Sequence, residues 1–288
     1  MSTSQPSVFH PGNTALITGG ASGIGLALAT KCKSANMNVI ICDINTENLS
    51  SAQTALEKVD GSGKVKTLQL DVSQIENWEK AKELVESEFE NKLHLLALNA
   101  GRSIAAPSKP WSDPSYFTNT LATNTFGITN GLCALLPYVT GHEESSSIII
   151  TGSKQGITNP PGNAAYNASK AAVKSLAESL SFTLKDKKNT SVHLLVPGWT
   201  FTGMTGGGGV KEKPKGAWFP GQVVEYLVQK MQEGKFYVIV PDNDVSEEMD
   251  RKRMLWDRLD LVEGRPPLTR WRREFDGEFR EWSEKNSV

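Results

Sequence analysis

Short apolar runs separated by helix-length amphipathic stretches set the rhythm of this chain. TALIT (14–18), NVIICD (38–43), KVKTLQL (64–70) and LHLLALN (93–99) are followed by SIIIT (147–151), SVHLLVP (191–197) and FYVIV (236–240). Their apolar character is continuous rather than alternating, which predicts strands covered on both faces, and the helical spacers predict right-handed crossovers. The pattern describes an α/β fold, a doubly wound parallel sheet of about seven strands. The glycine run Gly206 to Gly209 and the lysine-rich KEKPK after it cannot pack a core and read as a mobile loop. Beyond Pro241 the composition turns charged and aromatic, predicting a surface helix, a Pro-Pro break and an arm that packs Trp256, Trp271 and Trp282 on the body or a neighbouring subunit. A lid over the substrate mouth is the other reading of that arm.

Composition narrows the function classes. With 288 residues and 38% hydrophobic content, the chain is long enough for one large α/β domain. Thirty-one basic against 32 acidic side chains leave a net charge of -1, so no global field draws in nucleic acid or an anionic membrane, and neither is expected as a partner. Cys32, Cys42 and Cys133 lie in apolar stretches without CxxC spacing and read as buried, reduced thiols. The N-terminus lacks a basic region followed by an apolar segment, and no apolar stretch of about 18 residues occurs, so the expected location is cytoplasmic. His10, His94, His142 and His193 show no metal-ligand spacing, and no metal is expected.

Chemistry enters at Thr18-Gly19-Gly20-Ala21-Ser22-Gly23-Ile24-Gly25. Thr18 ends a predicted strand and apolar helical periodicity resumes at Ile24, so the glycines fall on a strand-to-helix turn, the context a dinucleotide-binding motif requires. Gly19 permits the turn, Gly23 a close backbone approach, and Gly25 the packing of the first helix near the sheet. The helix N-terminus then offers N–H groups to a pyrophosphate. The plainer reading is an ordinary glycine-rich turn. Asp43 closes the second strand about 20 residues on, where a carboxylate accepts both hydroxyls of an adenosine ribose and repels a 2'-phosphate. Ser22 and Ile44 beside it offer no cation, which favours NAD over NADP. Asp43 also suits a simple strand-end turn.

These motifs, taken in order with YNASK at 166–170, resemble the short-chain dehydrogenase/reductase family in its compact single-domain branch, over about Thr14 to Val240. TGGASGIG matches the family's TGxxxGxG, Asp71-Val72 its adenine-side Asp, and Asn99-Ala100-Gly101 its NAG element. Asn124, Ser153, Tyr166 and Lys170 match the catalytic tetrad, and Pro197-Gly198, Thr200 and Thr202 the nicotinamide-side loop. Leu98 and Thr200 depart from the usual residues without removing a catalytic group. The resemblance implies a Rossmann-type dinucleotide-binding catalytic domain over 1–240, with a substrate loop near 199–220, and an extension over 241–288. It also implies a homodimer or homotetramer. By the same resemblance, Ser153 orients the substrate oxygen, Lys170 holds the nicotinamide ribose, and Asn124 positions a proton-relaying water.

Elementary physics supports the chemistry-bearing set. Asn163 reads as the N-cap of one long helix, AAYNASKAAVKSLAESLSFTL, so Tyr166 and Lys170 at i and i+4 share a face. An ammonium close to a phenol favours the phenolate, which is expected to lower the Tyr166 pKa. Ser153 follows a strand and sits on the edge where open α/β sheets place ligands. Trp199, Phe201 and Met204 form an apolar substrate pocket or pack the loop on the core, and Arg102, Ser103, Ile104, Pro107 and Trp111 are expected on the opposite wall. The expected activity is NAD-dependent hydride transfer to or from a moderately large, apolar secondary alcohol or ketone, with polyols and sugars left open. Rivals are an NADP(H)-dependent reductase of the same family, a lyase or epimerase working through transient oxidation, and a non-catalytic NAD(H) sensor.

Overall fold

The computed structural model describes residues 7–206 and 212–288; the glycine run expected to be mobile lies largely outside them. In chain order the first half reads β1 (Thr14–Thr18), α1 (Gly23–Ser34), β2 (Asn38–Asp43), α2 (Thr46–Glu57), β3 (Val65–Gln69), α3 (Trp78–Glu88), β4 (Leu95–Leu98), α4 (Pro114–Leu121) and α5 (Gly127–Thr140). The second half reads β5 (Ser146–Thr151), α6 (Gln155–Thr158), α7 (Ala164–Thr183), β6 (Thr190–Val196), α8 (Gly203–Gly206), α9 (Pro220–Gln232), β7 (Tyr237–Ile239), α10 (Glu247–Val262) and α11 (Asp276–Lys285). All seven predicted strands form one parallel sheet in the order β3-β2-β1-β4-β5-β6-β7.

The continuous apolar runs supply two cores at once. In β1, Leu16 joins the core beneath α3, α5 and α7, with Trp78, Val85, Leu135 and Val173, while Ala15 and Ile17 join the one beneath α1, α2 and α9. The same alternation runs through Ile148, Ile149 and Ile150 of β5. Helix starts are fixed by local side chains. Asn45 accepts Asn48 N at 2.8 Å, Asp113 accepts Ser115 N at 3.0 Å, and Ser246 accepts Met249 N at 3.2 Å. Between α4 and α5 the chain widens into a π turn, Ala122–Phe126.

Two expectations change. Cys32 and Cys42 are buried and their thiols pushed up by desolvation, but Cys133 is exposed. Helix α5 turns Ile128, Gly131, Leu135 and Val139 inward, which leaves position 133 on its outer face. The aromatic arm also packs mainly on itself. Trp256, 1% exposed, lies with its ring centroid 5.4 Å from those of Phe279 and Trp282, under the Arg265 guanidinium at 4.0 Å. Its Nε1 donates to Thr269 Oγ1 at 2.8 Å, and Thr269 N donates to Asp260 Oδ2 at 2.9 Å. Only Trp271 of the three reaches outward to α6, donating to Thr158 O at 3.2 Å. Among the described residues no helix is long and apolar enough to cross a membrane.

Trp256→Ala is expected to destabilise the segment 247–285 by about 3–5 kcal/mol, through the cavity and the loss of the indole bond to Thr269, whose hydroxyl keeps its bond to Asp260. Amide hydrogen exchange should accelerate across α10 and α11 while β1 and β4 stay protected; uniform acceleration would contradict this.

Candidate active site

A doubly wound sheet opens where its strand order reverses, here between β1 and β4. Three strand ends are braced at that point. The Thr18 hydroxyl accepts from Asn99 N at 2.9 Å and Ala100 N at 3.0 Å. Asn99 Nδ2 donates to Thr18 O at 3.1 Å, and Asn99 Oδ1 accepts from Thr151 Oγ1 at 3.1 Å, joining β1, β4 and β5.

The glycine turn is shaped around this brace. Gly19 and Gly23 adopt φ of +62° and +52°, where side chains strain the backbone. A Cβ on Gly25 would overlap Gly19 O and press on Asn99 Nδ2, so this glycine lets α1 close on the turn itself rather than on the sheet. Ser22 makes no side-chain capping bond to α1. The first N–H groups and the positive end of the helix dipole are therefore available to an anion.

A cleft of about 1160 Å³ opens over the turn. Gly19, Ser22, Gly23, Ile24, Asp43, Asp71, Val72, Asn99, Ala100, Gly101, Pro197, Gly198, Thr200 and Thr202 line it, together with Ser153, Tyr166 and Lys170. Gly25 and Asn124 sit behind its wall. Asp43 accepts from Ala21 N at 3.4 Å and Asn45 N at 3.1 Å, so it serves the strand-end turn and faces the cleft as well. The departure at Thr200 has a local use: its hydroxyl donates to Gly198 O at 3.1 Å.

Asn163 caps α7 through Tyr166 N at 3.4 Å, and the helix delivers Tyr166 and Lys170 to the cleft on one face. Lys170 is 3% exposed, donates to Thr151 O at 2.7 Å, and lies 5.8 Å from the centre of the Tyr166 ring. With no carboxylate beside it, burial pulls its ammonium down to about 8. The Tyr166 phenol is not lowered as expected. Burial raises it, and only a hydrogen bond with Ser153 pulls the other way. A buried ammonium that itself holds its proton weakly, and is directed at a carbonyl, leaves desolvation to decide the phenol. Asn124 is fully buried in the π turn. Its Oδ1 accepts Arg102 N at 2.8 Å while Nδ2 donates to Arg102 O at 2.9 Å and Ser169 Oγ at 3.0 Å.

On the open side, Trp199 and Met204 line the cleft and are 42% and 48% exposed. Phe201 does not line it; its N–H donates to Trp218 O at 2.8 Å, closing the base of the loop. Arg102 and Ser103 reach the cleft, whereas Ile104, Pro107 and Trp111 do not, and Trp111 lies against Phe117 instead. Asn119, Thr123, Lys154 and Gln155 line it without having been expected. The only sequence signal for Lys154 was its place next to Ser153.

Because the folded Lys170 pKa lies below the usual 10.5, the unfolded chain binds that proton more tightly. The folded state is therefore penalised below about 8, and the penalty fades as pH rises toward 10.5. Lys170→Met is expected to abolish turnover yet stabilise the protein at pH 7 by up to roughly 3 kcal/mol, with the gain shrinking on the alkaline side. Melting temperatures across that pH range check this, and a less stable variant at pH 7 would contradict a buried charge.

An oxidoreductase, asL5, of Sarocladium schorii is 34% identical over 180 residues, covering 61% of this chain and 68% of its own. Human 17-beta-hydroxysteroid dehydrogenase type 1 is 34% identical over 175 residues, covering 59% of this chain and only 51% of its own. The crystal structure of a short-chain dehydrogenase/reductase from Burkholderia phymatum in complex with NAD superposes with a TM-score of 0.77 at 24% identity, over 89% of this chain and 96% of that one. The family profile described as short chain dehydrogenase matches residues 13–212, and the chain belongs to that family.

Proposed function

We propose that this protein is a nicotinamide-dependent oxidoreductase that interconverts an apolar secondary alcohol and its ketone, with Tyr166 as acid/base and NAD as the preferred dinucleotide. One observation carries the reading: Ser153, Tyr166, Lys170 and the glycine turn open into a single cleft. The residues fit a dinucleotide. The turn leaves helix N–H groups for a pyrophosphate, and the cleft exceeds the few hundred Å³ that a small ligand alone requires.

When bound, the nicotinamide supplies or accepts the hydride. The protein manages the oxygen and the proton. Tyr166, raised by burial, keeps its phenolic proton at neutral pH and so suits donation to a carbonyl oxygen; in the oxidative direction it takes the proton back. Ser153, which opens into the same cleft beside the phenol, suits holding the same oxygen. Lys170, near 8, exchanges its proton close to physiological pH and can refill Tyr166 from its buried position. Both Asn124 Nδ2 hydrogens are spent on Arg102 O and Ser169 Oγ, while Oδ1 accepts from Arg102 N. NAD is favoured because Asp43 and Ile44 edge the cleft on the β2 side, while its lysines and arginine, Arg102, Lys154 and Lys170, all lie after β4. The exposed Trp199 and Met204 favour a bulky apolar substrate, and the hydroxysteroid dehydrogenase named above points the same way.

Tyr166→Phe is expected to lower kcat by about 10³-fold while leaving NADH affinity intact; full activity would overturn the assignment, and a wild-type protein that binds NADH without turning over any alcohol or ketone would favour a sensor. Asp43→Ala is expected to weaken NADH about tenfold and to narrow its advantage over NADPH. Tryptophan-to-nicotinamide energy transfer measures both affinities, and tighter NADPH binding by the wild type would refute the ribose reading.

A further inference from the structure

The loop carrying Ser153 is anchored by residues that arrive much later in the chain. Lys154 Nζ lies 2.6 Å from Asp250 Oδ2 on α10 and 3.5 Å from Asp242 Oδ2 in the turn after β7. The three side chains are 16%, 4% and 7% exposed. Asp242 is itself a hub. Its Oδ2 accepts Trp199 N at 3.0 Å, and its Oδ1 accepts Asp244 N at 3.0 Å and Val245 N at 2.9 Å. Gly198 fits flush against it, since a Cβ there would come within 2.7 Å of the carboxylate. One carboxylate thus touches both substrate walls: the β5 loop through Lys154 and the β6 loop through Trp199.

The far end of the Ser153 segment is held from the same side. Lys154 O starts α6 by accepting Ile157 N at 3.0 Å and Thr158 N at 2.9 Å, and Thr158 O receives Trp271 Nε1 at 3.2 Å. Behind it, Gly156 has no room for a side chain against the Lys170 backbone. Stability alone is a poor reason to bury one cation with two carboxylates, because apolar replacements serve a core as well or better; a fixed geometry is the better reason. Ser153 and Lys154 share a peptide bond, so immobilising the ammonium limits the travel of the serine hydroxyl.

We propose that Lys154, Asp242 and Asp250 are positioning residues that lock the Ser153 loop to the Trp199 wall, so that the Lys154–Asp250 pair, which touches neither the glycine turn nor the 197–202 loop, governs capture of the carbonyl or alcohol substrate through Ser153. This rests on the oxidoreductase reading above. Displacement of a reacting group by about 1 Å costs on the order of 100-fold in rate, which sets the scale of the expected effects.

The test uses the full-length protein, with the ketone or alcohol that wild type turns over and NADH as the probe of the other side. Asp250→Asn and Lys154→Met should each lower kcat/KM by roughly 30-fold, largely through KM, with NADH affinity shifted less than about twofold. Lys154→Arg should retain most activity. In a Ser153→Ala background Lys154→Met should add almost nothing, since the lysine acts through that serine. Equal losses in both backgrounds, an unchanged kcat/KM, or a parallel loss of NADH affinity would overturn the proposal. Should Lys154→Met fail to fold, Asp250→Asn in the same two backgrounds decides. Hydrogen exchange at the Gln155, Gly156 and Trp199 amides in Asp250→Asn gives a readout independent of turnover. Faster exchange at both loops, with the Asn99 amide unchanged, supports the lock, and unchanged exchange refutes it. Absence of any wild-type turnover would sink the oxidoreductase reading while leaving the lock to be judged by exchange.

Discussion

The Asn99 side chain is the reference point from which the site is built. One amide holds the end of β1 through Thr18 O and the end of β5 through Thr151 Oγ1, while its own backbone belongs to the end of β4. The glycines of the first turn are cut to fit it, since added side chains at Gly19 and Gly25 would both press on Asn99 Nδ2. Lys170 hangs from the same structure, because Thr151 lends its hydroxyl to Asn99 and its carbonyl to the ammonium. The glycine turn and helix α7 are thereby registered to each other through one side chain, and a shift in either is felt at the other.

Two lysines in this cleft show how partners divide the roles of one residue type. Lys154 faces two carboxylates and serves as a fixed strut. Lys170 donates to a carbonyl beside the Tyr166 ring, and desolvation brings its pKa down to about 8. A carboxylate beside Lys170 would oppose that fall and hold the ammonium charged well above neutral pH. The buried hydrogen bonds around Asn124 have a complementary task, since they hold the Gly101-Arg102 segment against α7 without adding charge.

Much of this was legible in the chain. Seven apolar runs became seven strands: the central ones are buried on both faces and so are mostly apolar, while the edge strands β3 and β7 keep exposed positions such as Gln69 and Tyr237, and Asn163 marked the start of α7 as its side-chain cap. The residues facing the cleft were legible where spacing constrains chemistry, as with Tyr166 and Lys170 on one helical face. What could not be read depended on distant packing. The sign of the Tyr166 shift follows from burial, and no local pattern records how much water the fold removes. The π turn at Asn124 looks like helix in sequence, Cys133 falls on the outward face of an otherwise apolar helix, and Asp242 and Asp250 meet Lys154 from about 90 residues away in the chain, a separation no local pattern spans. The two arm tryptophans that found each other rather than the body belong to the same class.

The two-sided sheet also constrains how such a protein can diverge. Leu16 and Ile17, or Ile148 and Ile149, serve opposite cores although they are neighbours in sequence. Inserting or deleting a single residue within a strand would send every later side chain of that strand to the wrong layer. Changes of chain length are therefore filtered out of the sheet and collect in the loops at its carboxyl edge, which is where the cleft lies. Over evolutionary time, that filter makes the substrate wall the part of the molecule freest to be rewritten, while the scaffold keeps its reading frame.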